Sequence, residues 1–336
     1  MSDLNSAGLY RVFGAEMSPY SVKVRSYFRY KAIPHQWILR NAASQAEYEA
    51  FAKLPIIPLV VTPQGDGIQD STPIIDKMEM LFPQPSINPE DRVADFVSEL
   101  IEEFGDEWGN KWMFHYRWAR DIDQRCSSGR IARMRAPKAS ENEVADLAEK
   151  VRGRMVDRIW YVGSNEVTAS QIEAGFVEML ALLESHLERR PYLFGGRPAY
   201  GDFGLWGQFY ELWTDPTAGA LIEGSAPRVL NWVHRMLWPK AEGGFEAWGE
   251  LAPTLMPILT RQVSRFMTWT VANEKALNEG KDEFSVHLGD KVWIQKPQKY
   301  HARSLAMLRA KYAAVPDKAA LDEVLQNAGC LAGLRS

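Results

Sequence analysis

The sequence predicts an α+β protein of two domains, a small mixed-sheet domain of order β-α-β-α-β-β-α followed by an all-α helical domain. Apolar spacing over residues 9–82 switches back and forth between the strand period of two and the helix period of 3.6. The stretch PQPSINPEDR, with three prolines, then reads as a linker. From Pro89 to about Val271 the spacing is helical nearly throughout, and eleven of the 12 tryptophans lie after residue 85.

In order, LYRVFG is a short strand, and SPYSVKVRSYFRYK takes helical spacing through Val24, Tyr27 and Phe28. HQWILR reads as the second strand. SQAEYEAFAKL, with Ser44 and Glu47 in capping-box spacing, reads as the second helix. LVVT, the turn PQGDG and GIQD form a hairpin. STPIIDKMEMLF closes the unit with a helix that has Pro73 near its first turn. The crossover units imply a mixed sheet covered by helices. The expected division is residues 1–83, a linker over 84–90, a helical domain over 91–271 and an extension over 272–336. Within the helical part, turn clusters fall at SSGR, RRPYLFGGRPAYGD and AEGG. In the extension, SVHLGDKVWIQ places Gly289 and Asp290 for a type II′ hairpin turn, with helices after it.

Composition narrows the function. A chain of 336 residues with 46% hydrophobic and 24% charged residues is globular rather than disordered or collagen-like. Lys plus Arg is 39 against 43 for Asp plus Glu, so the net charge of −4 argues against nucleic acid as a partner. Cys126 and Cys330 stand far apart, which offers neither a disulfide framework nor metal-ligand spacing, and a reducing, cytoplasmic compartment fits. The N-terminus lacks the basic and apolar regions of a signal peptide. The most apolar run, Leu54 to Pro63, is broken by prolines and is too short to span a bilayer, so no membrane partner is expected.

Three local features carry chemistry. Ser18 ends the loop after the first strand and precedes Pro19, as a helix N-cap does; a thiolate beside it would gain from the hydroxyl, the unpaired N–H groups and the helix dipole. The alternative is a plain cap worth about 1 kcal/mol. In PIIPLVV, Pro58 directly precedes a strand central to the sheet, which suits a cis bond after Ile57. In QDST, Asp70 and Ser71 meet another helix start; Asp70 could take the ammonium of an amino-acid zwitterion, and Ser71 with the backbone its carboxylate. Taken alone, Ser71 or Thr72 reads as an ordinary cap.

Together these features resemble the glutathione transferase superfamily, most fully over residues 9–82 and again at YLFGGRPAYGDFGLW. The resemblance implies glutathione as co-substrate, Ser18 as the activator of its thiol, Ile57 and Pro58 at its cysteine, and Asp70 with Ser71 at its γ-glutamyl end. It also implies an electrophilic small molecule as second substrate and a homodimer. Neither metal nor nucleotide is implied. The chain departs from the family pattern at Asp70, one methylene shorter than the usual glutamate, at Pro55 and Ile56, and at Ala199, which stands where a Ser or Thr cap precedes Asp202. Conjugation is the expected reaction; lyase, isomerase or dehalogenase chemistry would use the same thiolate, and a non-catalytic binding protein would use the fold alone.

Trp108, Trp112 and His115 share one helical face. That face either lines an electrophile pocket or is buried as aromatic core, and such stripes usually mark core. Arg117, Arg120, Arg125, Arg130, Arg133 and Arg135 read as a solvated, mobile connection, with attraction of an acidic ligand as the alternative. Tyr10 and Tyr20 are alternative thiol activators, and Ser18 is the better placed.

Overall fold

The computed structural model describes residues 8–335. The first domain runs β1 (Tyr10–Gly14), α1 (Pro19–Tyr30), β2 (His35–Leu39), α2 (Gln45–Glu49), β3 (Leu59–Val61), β4 (Gly67–Gln69) and α3 (Ser71–Leu81). Its sheet has the order β2-β1-β3-β4, with β1 parallel to β2 and antiparallel to β3. Side-chain alternation sends Val12 and Val60 to the face covered by α1 and α3, where they join Val22, Tyr27, Ile74 and Met78. Phe13, Leu59 and Val61 go to the other face and pack on Tyr48 of α2. Both faces of the short central strands are dry, which explains their unbroken apolar runs.

The helical domain comprises α4 (Arg92–Phe104), a π-helical turn (Gly105–Gly109), α5 (Asn110–Ala119), α6 (Asp121–Arg135), α7 (Glu141–Val156), α8 (Ala169–His186), α9 (Tyr200–Thr214), α10 (Pro216–Ser225), α11 (Pro227–Arg235), α12 (Trp248–Ile258) and α13 (Ser264–Asn278). Helix α9 is its buried axis, and two close approaches fix where it sits. A Cβ on Gly207 would stand 2.6 Å from the carbonyl oxygen of Pro19, and one on Gly204 would stand 2.7 Å from Cα of Glu102. Glycine thus lets α9 touch both the first turn of α1 and the backbone of α4. The second domain is thereby registered on the loop that carries Ser18.

Beyond α13 come a hairpin, β5 (Phe284–Leu288) and β6 (Lys291–Gln295), then α14 (Lys299–Ala314), α15 (Ala319–Asn327) and α16 (Leu331–Arg335). Gly289 in the turn has φ 70 while Asp290 does not take a positive φ, as a type II′ turn requires. The extension does not form a separate unit. Leu305, Leu308, Tyr312, Leu321 and Leu325 bury into the main core, and Tyr312 meets Phe96 of α4 at 5.7 Å between ring centroids.

Four expectations change. The boundary drawn at 271 falls inside α13, which continues to Asn278. The turn and mobile connection expected around SSGR are instead the continuous helix α6. Gly129 and the serines do not break it because tertiary bonds hold it: Ser127 Oγ lies 3.0 Å from Asp215 Oδ1, and Thr217 N donates to Asp123 Oδ1 at 2.8 Å. The arginines before and within it are mostly paired. Buried Arg117 donates to Asp215 Oδ2 at 2.7 Å and Glu211 Oε2 at 2.6 Å, and Arg120, Arg125, Arg130 and Arg133 also meet carboxylates. Ser44 and Glu47 do not form a capping box; the Ser44 hydroxyl donates to Leu39 O at 2.7 Å, and Glu47 pairs with Arg11. At the start of α9 the missing hydroxyl cap is compensated from the other side, for buried Asp202 accepts from Ala199 N at 2.9 Å, Leu193 N at 2.8 Å and Trp232 Nε1 at 2.9 Å.

Candidate active site

Ser18 has extended backbone geometry (φ −121, ψ 111) and Pro19, which has no N–H, follows at the first helical position, so the chain turns into α1 with the Tyr20 N–H taking no acceptor among the described residues. Ser18 Oγ accepts from Ser21 N at 3.3 Å and meets the fully buried Ser21 hydroxyl at 3.0 Å. With Ser21 donating both bonds, the proton of Ser18 is left to donate outward. Ser18 itself is half-buried. An anion at this point meets a hydroxyl donor and the positive end of a twelve-residue helix together.

The two tyrosines are placed otherwise. Tyr10 lies in the sheet core between the rings of Phe28 and Phe82. The Tyr20 hydroxyl donates to Asp106 O at 3.1 Å, and burial together with the Glu107, Asp106 and Asp70 carboxylates raises its pKa well above the usual phenol value. A phenol so held stays protonated and turned away.

The loop before β3 is rigid. Gln69 accepts from Lys53 N at 2.7 Å and Leu54 N at 3.0 Å and donates to Leu54 O at 2.7 Å, while the Tyr48 hydroxyl stands 2.6 Å from Ile56 O. The Ile57–Pro58 peptide is cis. Among the described residues the backbone N–H and C=O of Ile57 take no hydrogen bond. An extended ligand can therefore pair with them as an added strand would.

Asp70 has φ 78 and ψ 140, a conformation that non-glycine residues rarely adopt. Its Oδ1 accepts from Ser71 N at 2.8 Å and its Oδ2 from the Tyr300 hydroxyl of α14 at 3.0 Å. Ser71 is fully buried, and its hydroxyl faces Asp106 Oδ2 at 3.4 Å. Of the pair expected at an amino-acid zwitterion, Asp70 is thus presented at a cavity and Ser71 is turned inward.

Two cavities flank this loop. One, of about 400 Å³, is lined by Ile56, Gln69, Asp70 and Thr72 and closed by Tyr300 and Arg303. The other, of about 620 Å³, is lined by Ala15, Pro55 and Ile57 and by three arginines, Arg40, Arg135 and Arg154. Partial desolvation of its exposed side chain and the neighbouring guanidiniums of Arg154 and Arg40 lower the pKa of Arg135, and among the described residues neither Arg135 nor Arg154 meets a carboxylate. Like charges gathered without counterions favour an anion between them.

Beneath the site Lys23 is fully buried and meets Glu102 and, at 2.7 Å, Asp106 Oδ2. Burial opposes ionisation of Glu102, yet the Lys23 ammonium holds its pKa below the usual value. Burial pushes Asp106 up to about 8 against the pull of Lys23, and its Oδ1 has no hydrogen-bond partner. Lys23 thus pairs with Glu102, and burial makes Asp106 the more readily protonated of its two carboxylate neighbours.

Trp108, Trp112 and His115 do not gather with Ser18. Trp108 belongs to the π-helical turn, which breaks the regular spacing, and it packs on Trp269 and Trp293 at 5.7 and 5.3 Å. Trp108 and Trp112 line a separate cavity of about 300 Å³ closed by the β5–β6 hairpin. His115 is buried between Ser164 Oγ at 2.8 Å and Glu173 Oε1 at 3.0 Å. The apolar wall beside Ser18 is instead Met17, which packs with Phe114 against Trp118, Ile131 and Val151.

Sequence reasoning missed Arg40, Arg154, Tyr300 and Arg303. It had Arg135, but within a run read as solvated, and no local signal sets it apart, since Arg130 and Arg133 likewise have no acidic residue three or four positions away.

Residues 12–86 match the family model described as glutathione S-transferase, N-terminal domain, and residues 149–235 match that of glutathione S-transferase, C-terminal domain. Among solved structures the chain is similar to a beta-etherase of Sphingobium sp. strain SYK-6, at 16% identity over 68% of this chain and 94% of that one, with a TM-score of 0.47. It is similar to a glutathione S-transferase of Methylobacterium radiotolerans in complex with glutathione sulfonate, at 16% identity over 71% of this chain and 97% of that one, with a TM-score of 0.43. It is also similar to FzlA of C. crescentus, at 14% identity over 69% and 90%, with a TM-score of 0.44. No curated protein matches the chain.

Proposed function

The chain belongs to the glutathione transferase superfamily, and on that premise we propose that it transfers the glutathione thiolate to an apolar or aromatic electrophile, with Ser18 as the thiolate's hydrogen-bond donor. The observation that carries this reading is that the loop before β3 separates two cavities, one lined by Ile56 and the Asp70 carboxylate and the other by Ile57, Ala15 and three guanidiniums, while the Ser18 N–H donates to Ala15 O at 3.2 Å and so stands one turn from the second. Glutathione has an ammonium at its γ-glutamyl end, a thiol in the middle and a carboxylate at its glycyl end. Its chemistry matches that order.

In the reaction the thiol gives its proton to solvent and the resulting thiolate is held by the Ser18 hydroxyl and the start of α1. The sulfur lone pair then forms the new S–C bond, while the electrons of the breaking bond leave with the departing group or move into the electrophile's acceptor. The wall made by Met17 and Phe114 suits the apolar body of the electrophile. We assign the same site to glutathione as co-substrate rather than as a resident cofactor. A homodimer would use faces other than the part of α4 that Lys311 and Ser304 of α14 engage at Glu99 and Glu103.

The test is a calorimetric titration with glutathione, read beside the ultraviolet absorbance of the bound thiolate. Saturable binding with thiolate absorbance at neutral pH is expected. Absence of binding at millimolar glutathione would overturn the reading and leave a binding protein on a transferase fold.

A further inference from the structure

Glutathione's γ-glutamyl end carries an α-carboxylate beside its ammonium, and the inward turn of Ser71 leaves that carboxylate without its expected partner. The Ser71 N–H is taken by Asp70 and its hydroxyl faces Asp106. A different donor must therefore face the Asp70 cavity.

Each charged group there can be followed to its partner. Glu102 is paired with Lys23, and Lys311 donates to Glu99 Oε2 at 2.5 Å. Glu103 meets the Ser304 hydroxyl, and burial with the neighbouring Glu107 and Glu102 carboxylates raises its pKa well above the usual value. Arg303 lines the same cavity as Asp70, and among the described residues it has neither ion pair nor hydrogen bond. One turn earlier on α14, Tyr300 fixes the helix against the site through its bond to Asp70.

We propose that the C-terminal extension completes the glutathione site, with Arg303 of α14 receiving the α-carboxylate of the γ-glutamyl residue while Asp70 receives its ammonium. The inference rests on the glutathione reading above and extends it, because it gives a binding role to a segment outside both regions that match the family models. An arginine suits the task, since its fork matches a carboxylate bidentately. The cavity of about 400 Å³ is roomy enough for an amino-acid headgroup.

The experiment compares glutathione with 4-aminobutyryl-cysteinyl-glycine, which keeps the ammonium and lacks the α-carboxylate, by calorimetry on the full chain and on Arg303→Ala. Arg303 is exposed on its helix, so the variant should keep the native melting temperature. The expected result is a loss of roughly 10- to 100-fold in glutathione affinity in Arg303→Ala, with affinity for the decarboxylated analogue unchanged. Arg303→Lys should recover part of the glutathione affinity. Wild-type glutathione affinity in Arg303→Ala, or an equal loss for both ligands, overturns the role of Arg303 while leaving the transferase reading in place. If the unmodified chain binds neither ligand, that reading fails and this one with it.

Discussion

The Ser21 hydroxyl lies 3.0 Å from Ser18 Oγ, and the Ser21 N–H reaches the same oxygen at 3.3 Å, so one serine orients the other at the start of α1. Ser18→Ala should raise the pKa of bound glutathione and lower turnover by roughly 10²- to 10³-fold, the scale for one lost electrostatic donor. Ser18→Gly separates this from capping, because glycine caps within a few tenths of a kcal/mol of serine whereas alanine costs about 1 kcal/mol. Equal loss of thiolate absorbance in both variants, with stability falling mainly in the alanine variant, is expected. If both retain native thiol pKa and turnover, Ser18 is only a cap.

Asp70 occupies a left-handed conformation in which a side chain costs about 1 to 3 kcal/mol, and such strain gathers at functional sites. Asp70→Gly removes the strain along with the carboxylate. It should melt no lower than the native chain and bind glutathione roughly 10- to 150-fold more weakly, which corresponds to about 1.5 to 3 kcal/mol for a charge-assisted bond. A marked drop in melting temperature would show instead that Asp70 is there for stability.

The three arginines beside Ile57 repel one another, so Arg135→Ala and Arg154→Ala should leave stability unchanged or slightly improved. Each should weaken glutathione roughly two- to tenfold at low ionic strength, and the difference should shrink as salt is added because both side chains are exposed. Titrations at two salt concentrations check this. Identical affinities in variant and native protein at low salt would remove the arginines from the site.

Gly207 stands where a Cβ would lie 2.6 Å from Pro19 O, and no flexible side-chain end can yield there. Gly207→Ala should cost about 1 to 3 kcal/mol through overpacking. It should also raise the bound thiol's pKa by moving the turn that carries Ser18. Native thiolate absorbance in a folded but destabilised variant would show that α9 does not position that turn.

His186 is fully enclosed, with Nε2 2.8 Å from Leu193 O and Nδ1 2.8 Å from Thr254 Oγ1, and burial together with nearby Arg190 lowers its pKa from 6.5 to about 4. The unfolded chain protonates near 6.5 while the native chain stays neutral, so stability is full above that pH and is lost progressively down to about 4. The loss approaches about 3 kcal/mol. Melting temperatures from pH 7 to 4 should fall, and His186→Gln should flatten that part of the profile. A variant with the native pH dependence would assign the acid sensitivity to other groups.

The sequence by itself determined the element order of the first domain, the helical character of the second and the hairpin at Gly289, because period, proline and turn chemistry act over a few neighbouring residues. Ser18 as a cap and QDST at a helix start were legible for the same reason. Local reading went wrong where distant contacts prevail over propensity: SSGR is helical because Asp215 and Thr217 of the α9–α10 corner hold α6, and the aromatic stripe at Trp108 is displaced by a π-helical turn packed on α9. The arginines on α6 and α7 meet Arg40 only after the chain has crossed from one domain to the other. Tyr300 reaches Asp70 across 230 residues of sequence. Only tertiary structure could decide those meetings, since no pattern within a helix or strand encodes which surface a later helix will cover.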